Sequence, residues 1–135
     1  MRSRFSAFAL GLGAYLVDTL ATTHPDRALP REPLERALSR ARVTQRFAGL
    51  RILWSEADGD RGQVLFHAGV FVGTFANSRD HSFVELSNFV REAGAWRYAS
   101  GVMATAKLFG ADLSSLTPAT FLARVPATAL FTPRA

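Results

Sequence analysis

The chain has 135 residues, a formal net charge of +5 and no cysteine. That length suits one domain, and the lack of cysteine excludes disulfides, thiolate chemistry and cysteine-ligated zinc. Apolar residues make up 48% and charged residues 20%, enough for one sizeable core and against bulk disorder, while no apolar run reaches the ~18 residues that cross a bilayer.

Residues 2–10 and 14–22 read as two short helices joined around Gly11-Leu12-Gly13. Two accounts of this segment stay open. Arg2 and Arg4 ahead of the apolar stretch 5–17 fit a secretory signal peptide. Phe5, Phe8, Ala9 and Leu12, then Leu16 and Leu20, fit an amphipathic helix of a mature, cytoplasmic protein, and Gly13 and Tyr15 suit a signal core poorly. His24-Pro25-Asp26 ends the second helix.

A third helix is expected from about Pro33 to Arg46, with Leu34, Ala37, Leu38 and Ala41 as its apolar stripe and Gly49 closing it. Then the period changes to two. Residues 50–56 read as a strand, followed by the turn Asp58-Gly59-Asp60-Arg61-Gly62 and a long strand over 63–75. Residues 77–80 turn the chain again. Strands at 82–91 and 96–103 meet through Ala93-Gly94. Four consecutive strands with short turns make an antiparallel meander. The preceding helices then cover one face, which is an α+β domain. Thr117-Pro118 opens a short helix over 118–124. Phe121, Leu122 and Phe131 are candidates to pack back on the domain, and Pro126 and Pro133 break regularity.

Fifteen of the sixteen basic residues are arginine. Arg31, Arg36, Arg40, Arg42, Arg46 and Arg51 fall in one stretch. They read either as a solvated helix face, with Glu32 and Glu35 interspersed, or as a nucleic-acid or phosphate patch. Aromatic residues do not alternate with them as a base-stacking platform requires.

The opening Met-Arg-Ser-Arg-Phe-Ser-Ala-Phe, Tyr15-Leu16, His24-Pro25, Gly49-Leu50-Arg51-Ile52, Glu85-Leu-Ser-Asn-Phe89 and Trp96, Tyr98 and Gly101 occur in an order and spacing that resemble the middle domain of YchJ-like proteins. The resemblance covers about residues 1–104 and leaves 105–135 as a C-terminal extension. It implies a cone of the nuclear transport factor 2-like type, a curved antiparallel sheet packed on N-terminal helices. It supplies a fold and not an activity. Because it begins inside the first helix, it favours the mature-helix account. Members of that family usually carry SEC-C zinc modules at one or both ends. This sequence has no cysteine, so no metal or other cofactor carries over. The methionine of the motif stands at residue 1, which raises the expectation that the reading frame starts upstream.

Glu85 is the leading candidate for chemistry. Its neighbours on one strand face are Phe83, Ser87 and Phe89. If that face points into the cone, burial raises the carboxyl pKa and Glu85 is a general acid or base. The structural alternative is an ion pair with Arg2 or Arg4 that locks the first helix to the sheet. His67 and Tyr98 are its candidate catalytic partners. Tyr15, Trp54 and Trp96 are candidate pocket or core residues. Arg36, Arg40, Arg42 and Arg46 are the candidate nucleic-acid contacts. His24 and His81 lack a metal-ligand spacing. Ser87 lacks a hydrolase elbow, and no phosphate-binding loop or dinucleotide fingerprint is present. Three uses stay open. They are a non-catalytic binding or interaction module for a small molecule or protein, a small-pocket isomerase, dehydratase or hydrolase, and a nucleic-acid-associated protein. A homodimer through the sheet face is expected of such a cone, and no membrane association.

Overall fold

The computed structural model describes residues 1–74 and 76–126. The strands are β1 (Gln45–Asp58), β2 (Arg61–Val72), β3 (Arg79–Asp80), β4 (Phe83–Glu92) and β5 (Ala95–Thr105). They form one antiparallel sheet in the order β1-β2-β4-β5, with the two-residue β3 pairing to β2. This is the expected meander with one short strand added.

Register decides which side chains share a face. Phe66 lies opposite Glu85, Val64 opposite Ser87 and Ala68 opposite Phe83, and directly opposed residues point the same way. Val64, Phe66, Ala68 and Val70 therefore share the inner face with Phe83, Glu85, Ser87 and Phe89. Leu65, His67, Val84 and Leu86 share the outer one. Register shifts between Phe47 and Gly49, between Ile52 and Trp54, and between Asn88 and Phe89 add the bends that curl a sheet.

Helices α1 (Arg2–Leu10), α2 (Gly13–Asp18) and α3 (Arg31–Ser39) cover the inner face. Ala7, Leu16, Val17, Leu20, Leu34 and Leu38 pack with Phe89 and Tyr98. The Gly11-Leu12-Gly13 motif serves this packing. Gly11 ends α1 at φ 71°, and a Cβ on Gly13 would lie 2.1 Å from the Glu35 carbonyl oxygen, so only glycine lets α2 approach α3 this closely. The first helices are thus part of the core. Among the described residues, no helix is long and apolar enough to cross a membrane.

The third helix departs from expectation. α3 stops at Ser39, a single turn α4 (Ala41–Thr44) follows, and β1 begins at Gln45. Residues 45–49 are strand, and Gly49 is not a helix cap. Tertiary packing overrides the helical pattern here: Phe47 meets the rings of Phe5 at 5.6 Å and Phe8 at 6.0 Å, which requires extended backbone.

The outer face carries its own cover. After β5, residues 106–115 form two short 3-10 segments, and α5 (Pro118–Arg124) follows. A capping box between Thr117 and Thr120 starts α5. Phe121 is fully buried and stacks on Phe109 at 5.5 Å. Both pack with Leu65, Val84, Leu86 and Ala104. Helical structure therefore lies on both sides of the sheet. Leu122 is 46% exposed. Phe131 and Pro133 lie outside the described residues, as does Phe75 at the end of the expected second strand.

Candidate functional site

A cavity of about 790 Å³ opens between the inner sheet face and α1. Phe5 and Phe8 of α1, Phe47 of β1, Phe66 of β2, Phe83 of β4 and Met103 of β5 supply apolar wall. Asp80 and His81, both exposed, line it toward solvent. Glu85, Tyr98 and Arg4 are set among the apolar walls, with Ser82 and Thr105 as further hydroxylic lining residues.

Glu85 is 4% exposed. Its Oε2 accepts a hydrogen bond from the Tyr98 hydroxyl at 2.9 Å and another from the Ser87 hydroxyl. Burial pushes its carboxyl up to about 7, against the opposing pull of these two donors and of the Arg4 charge. Burial, and then the neighbouring Glu85, push the Tyr98 hydroxyl above its ordinary range. Tyr98 is fixed by its backbone: its N–H donates to the Thr19 carbonyl at 2.7 Å, and its carbonyl accepts from Ala21 N–H at 2.8 Å. The end of α2 thereby sets the height of the Tyr98 ring in the cone.

Arg4 is 2% exposed. Its Nη1 donates to the Leu16 carbonyl at 2.9 Å and to the Thr19 hydroxyl. Its guanidinium lies 5.1 Å from the centre of the Tyr98 ring. Nε and Nη2 are buried without a hydrogen-bond partner among the described residues. Burial lowers its pKa to about 10, although Tyr98, Glu85 and Tyr15 favour the charge. Among the described residues, neither Arg4 nor the exposed Arg2 forms an ion pair with Glu85. The link expected between the first helix and the sheet runs instead from Arg4 through the Tyr98 ring and hydroxyl to Glu85.

Other candidate residues do not join this group. His67 lies on the outer face opposite Val84 and Arg51, and partial burial holds its pKa below the usual value. It cannot partner Glu85 across the sheet. Trp54 packs on the outer cluster. Tyr15 and Trp96 line a separate cleft of about 490 Å³. There Tyr15 donates to the Ser3 hydroxyl at 2.7 Å, and Arg91 covers the Trp96 ring at 4.7 Å. Arg36, Arg40, Arg42 and Arg46 are exposed, but they are spread over α3, its C-cap, α4 and β1. The arginine-rich helix does not exist as one face, because β1 starts at Gln45. Arg42 donates to the Leu10 carbonyl at 3.2 Å, and Arg46 lies 4.9 Å over the Phe71 ring. Among the described residues, no group of three or more His, Asp or Glu is placed to hold a metal ion.

Sequence reasoning missed the phenylalanine walls and the role of Gly101. Both β2 parities are apolar, so the sequence pattern does not tell which side of that strand faces Glu85. Gly101 sits opposite Ser87, and its place in the spacing Trp96-x-Tyr98-x-x-Gly101 was the available signal.

The family described as "YchJ, middle NTF2-like domain" matches residues 1–101. A UPF0225 protein of Chromobacterium violaceum is 41% identical over 107 residues, covering 77% of this chain and 71% of that protein. RPA3114 of Rhodopseudomonas palustris, a SEC-C motif containing protein solved in solution, is 33% identical with a TM-score of 0.58. That match covers 75% of this chain and 73% of that one. An NTF2-like protein with a cystatin-like fold from Novosphingobium aromaticivorans has a TM-score of 0.58 at 14% identity, with 85% and 83% covered. This last likeness speaks to the fold alone. The matched stretch holds Arg4, Glu85, Ser87, Tyr98 and Gly101 together, and the chain belongs to the YchJ family of middle NTF2-like domains.

Proposed function

We propose that the cone binds a small, mostly apolar molecule and that Glu85 meets its polar end. One observation carries this reading: a buried carboxyl with a pKa of about 7 lies on the wall of a cavity of about 790 Å³. Small-molecule pockets combine an apolar lining with a few convergent polar groups in this range of sizes, ~300–1,000 Å³. The domain is then a binding module. A cytoplasmic location fits it, because loss of α1 with a cleaved leader would remove Arg4, Phe5 and Phe8 from the cavity.

A second reading is favoured by the same carboxyl. A group that titrates near neutrality can both give and take a proton, which suits an isomerase, dehydratase or hydrolase with Glu85 as general acid or base. Tyr98 would then orient the carboxyl, and His67 has no part.

A naphthalene dye whose emission rises on leaving water tests the binding reading. One dye should bind per chain. Met103→Trp, which fills space facing Glu85 across β4 and β5, should abolish binding while the circular dichroism is kept. No dye binding by the unmodified chain, or full binding by a folded Met103→Trp, would overturn it.

A further inference from the structure

Resting on the binding reading, we propose that the ligand's polar end is a carboxylate on a ring-sized apolar body, held against a protonated Glu85. The placement of donors on the Glu85 carboxyl points there first. Both of its hydrogen bonds end on Oε2, and Gly101 packs against that same oxygen. Oε1 accepts no hydrogen bond among the described residues. A neutral carboxyl keeps its carbonyl oxygen for accepting and carries the proton on the other. With Oε2 loaded by two donors, the proton belongs on Oε1. The cavity wall then presents an O–H donor without an acceptor among the described residues, and a ligand oxygen is what completes it.

Arg4 supplies the second argument. It is a buried guanidinium with two nitrogens unpartnered and, among the described residues, no carboxylate within ion-pair distance. Once Glu85 is protonated, the Arg4 charge stands uncompensated beside an apolar cavity. A buried charge in that state is costly, and an anion in the cavity offsets it through space. Phenylalanine walls also suit an ammonium ion, but Arg4 repels a cation and a neutral Glu85 gives it no counter-charge.

The groups around Glu85 are few. Arg4 comes from α1 and the Met1 amine from just before it, Tyr98 from β5, and Asp80 and His81 from the solvent side. Gln45 of β1 and Phe66 of β2 carry no charge. A carboxyl at about 7 then links anion binding to proton uptake, so affinity falls as pH rises through neutrality.

Isothermal titration of the full chain with naphthoate, acetylnaphthalene and naphthylmethylammonium, at about pH 6 and about pH 8, separates the ligand classes. Naphthoate should bind most tightly, and about tenfold more weakly at the higher pH. Glu85→Gln, neutral throughout and still a donor, should bind naphthoate equally at both. If that variant does not fold, naphthoate binding to the unmodified chain in two buffers of different ionisation enthalpy should report uptake of a proton at the higher pH. Tighter binding of the ammonium or the ketone overturns the carboxylate while leaving the binding cone standing. So does a naphthoate affinity that ignores pH. A pH dependence that persists in Glu85→Gln belongs to another group and also overturns it. Failure of all three probes removes the binding reading itself, and the carboxylate with it.

Discussion

Gly101 leaves the space that the Glu85 carboxyl occupies. A Cβ built on Gly101 would lie 2.5 Å from Glu85 Oε2 and 2.7 Å from the Tyr98 hydroxyl oxygen. The smallest side chain is thus required where β5 passes the buried acid on β4.

Gly101→Ala should therefore destabilise the fold by about 1–3 kcal/mol through overpacking. Its effect should shrink in the Glu85→Ala background, where the opposing carboxyl is gone. Urea unfolding of the two single variants and the double variant measures the coupling, and strict additivity would mean the two residues do not compete for space.

Stability should depend on pH through Glu85. Its carboxyl moves from an ordinary 4.5 to about 7 on folding, so between these values the folded chain binds more protons than the unfolded one. This contribution is complete below 4.5 and is lost as pH rises through about 7. The loss amounts to about 3 kcal/mol. Glu85→Gln should flatten this part of the profile in unfolding experiments at about pH 5 and about pH 8.

Arg4→Met should move the Glu85 titration further upward, because the Arg4 charge pulls the carboxyl pKa down. Carbon NMR of the Glu85 carboxyl reads the change. A downward move would mean that Arg4 acts on Glu85 by something other than its charge.

Phe121→Ala should cost about 3–5 kcal/mol, the ordinary loss for a buried phenylalanine. That outcome, in thermal or urea unfolding, would make α5 part of the domain core. A cost near zero would make it a detachable appendage.

His67→Ala should leave dye binding in the cone unchanged, since His67 points to the opposite face from Glu85. A lost or weakened dye signal in a folded variant would contradict the register.

Much of the fold was legible in the residues. Alternation of Phe83, Glu85, Ser87 and Phe89 marked one face of β4, and turn residues at 58–62 and 93–94 set the hairpins. Helical spacing brought Leu16 to the core, whereas the second helix, expected over 14–22, ends at Asp18, and Leu20 reaches the core through a β-bridge to Tyr98. The boundary after Ser39 was not legible, because local helix propensity competes there with the contact of Phe47 to Phe5 and Phe8, some forty residues away. The site was half visible. Glu85 and Tyr98 were candidates from their strands, but pairing Glu85 with His67 needed the β2–β4 register, which depends on turn lengths rather than residue type. The Arg4 route through Tyr98 depends on where α2 ends against β5, and no local pattern encodes that.

The central claim is that burial in the cone moves Glu85 out of the ordinary carboxylate range to titrate near neutrality. Titration of its side-chain carboxyl by carbon NMR in the full chain tests this most directly. The account predicts a midpoint of about 7. A midpoint near the ordinary 4.5 would show a solvated carboxylate and contradict it.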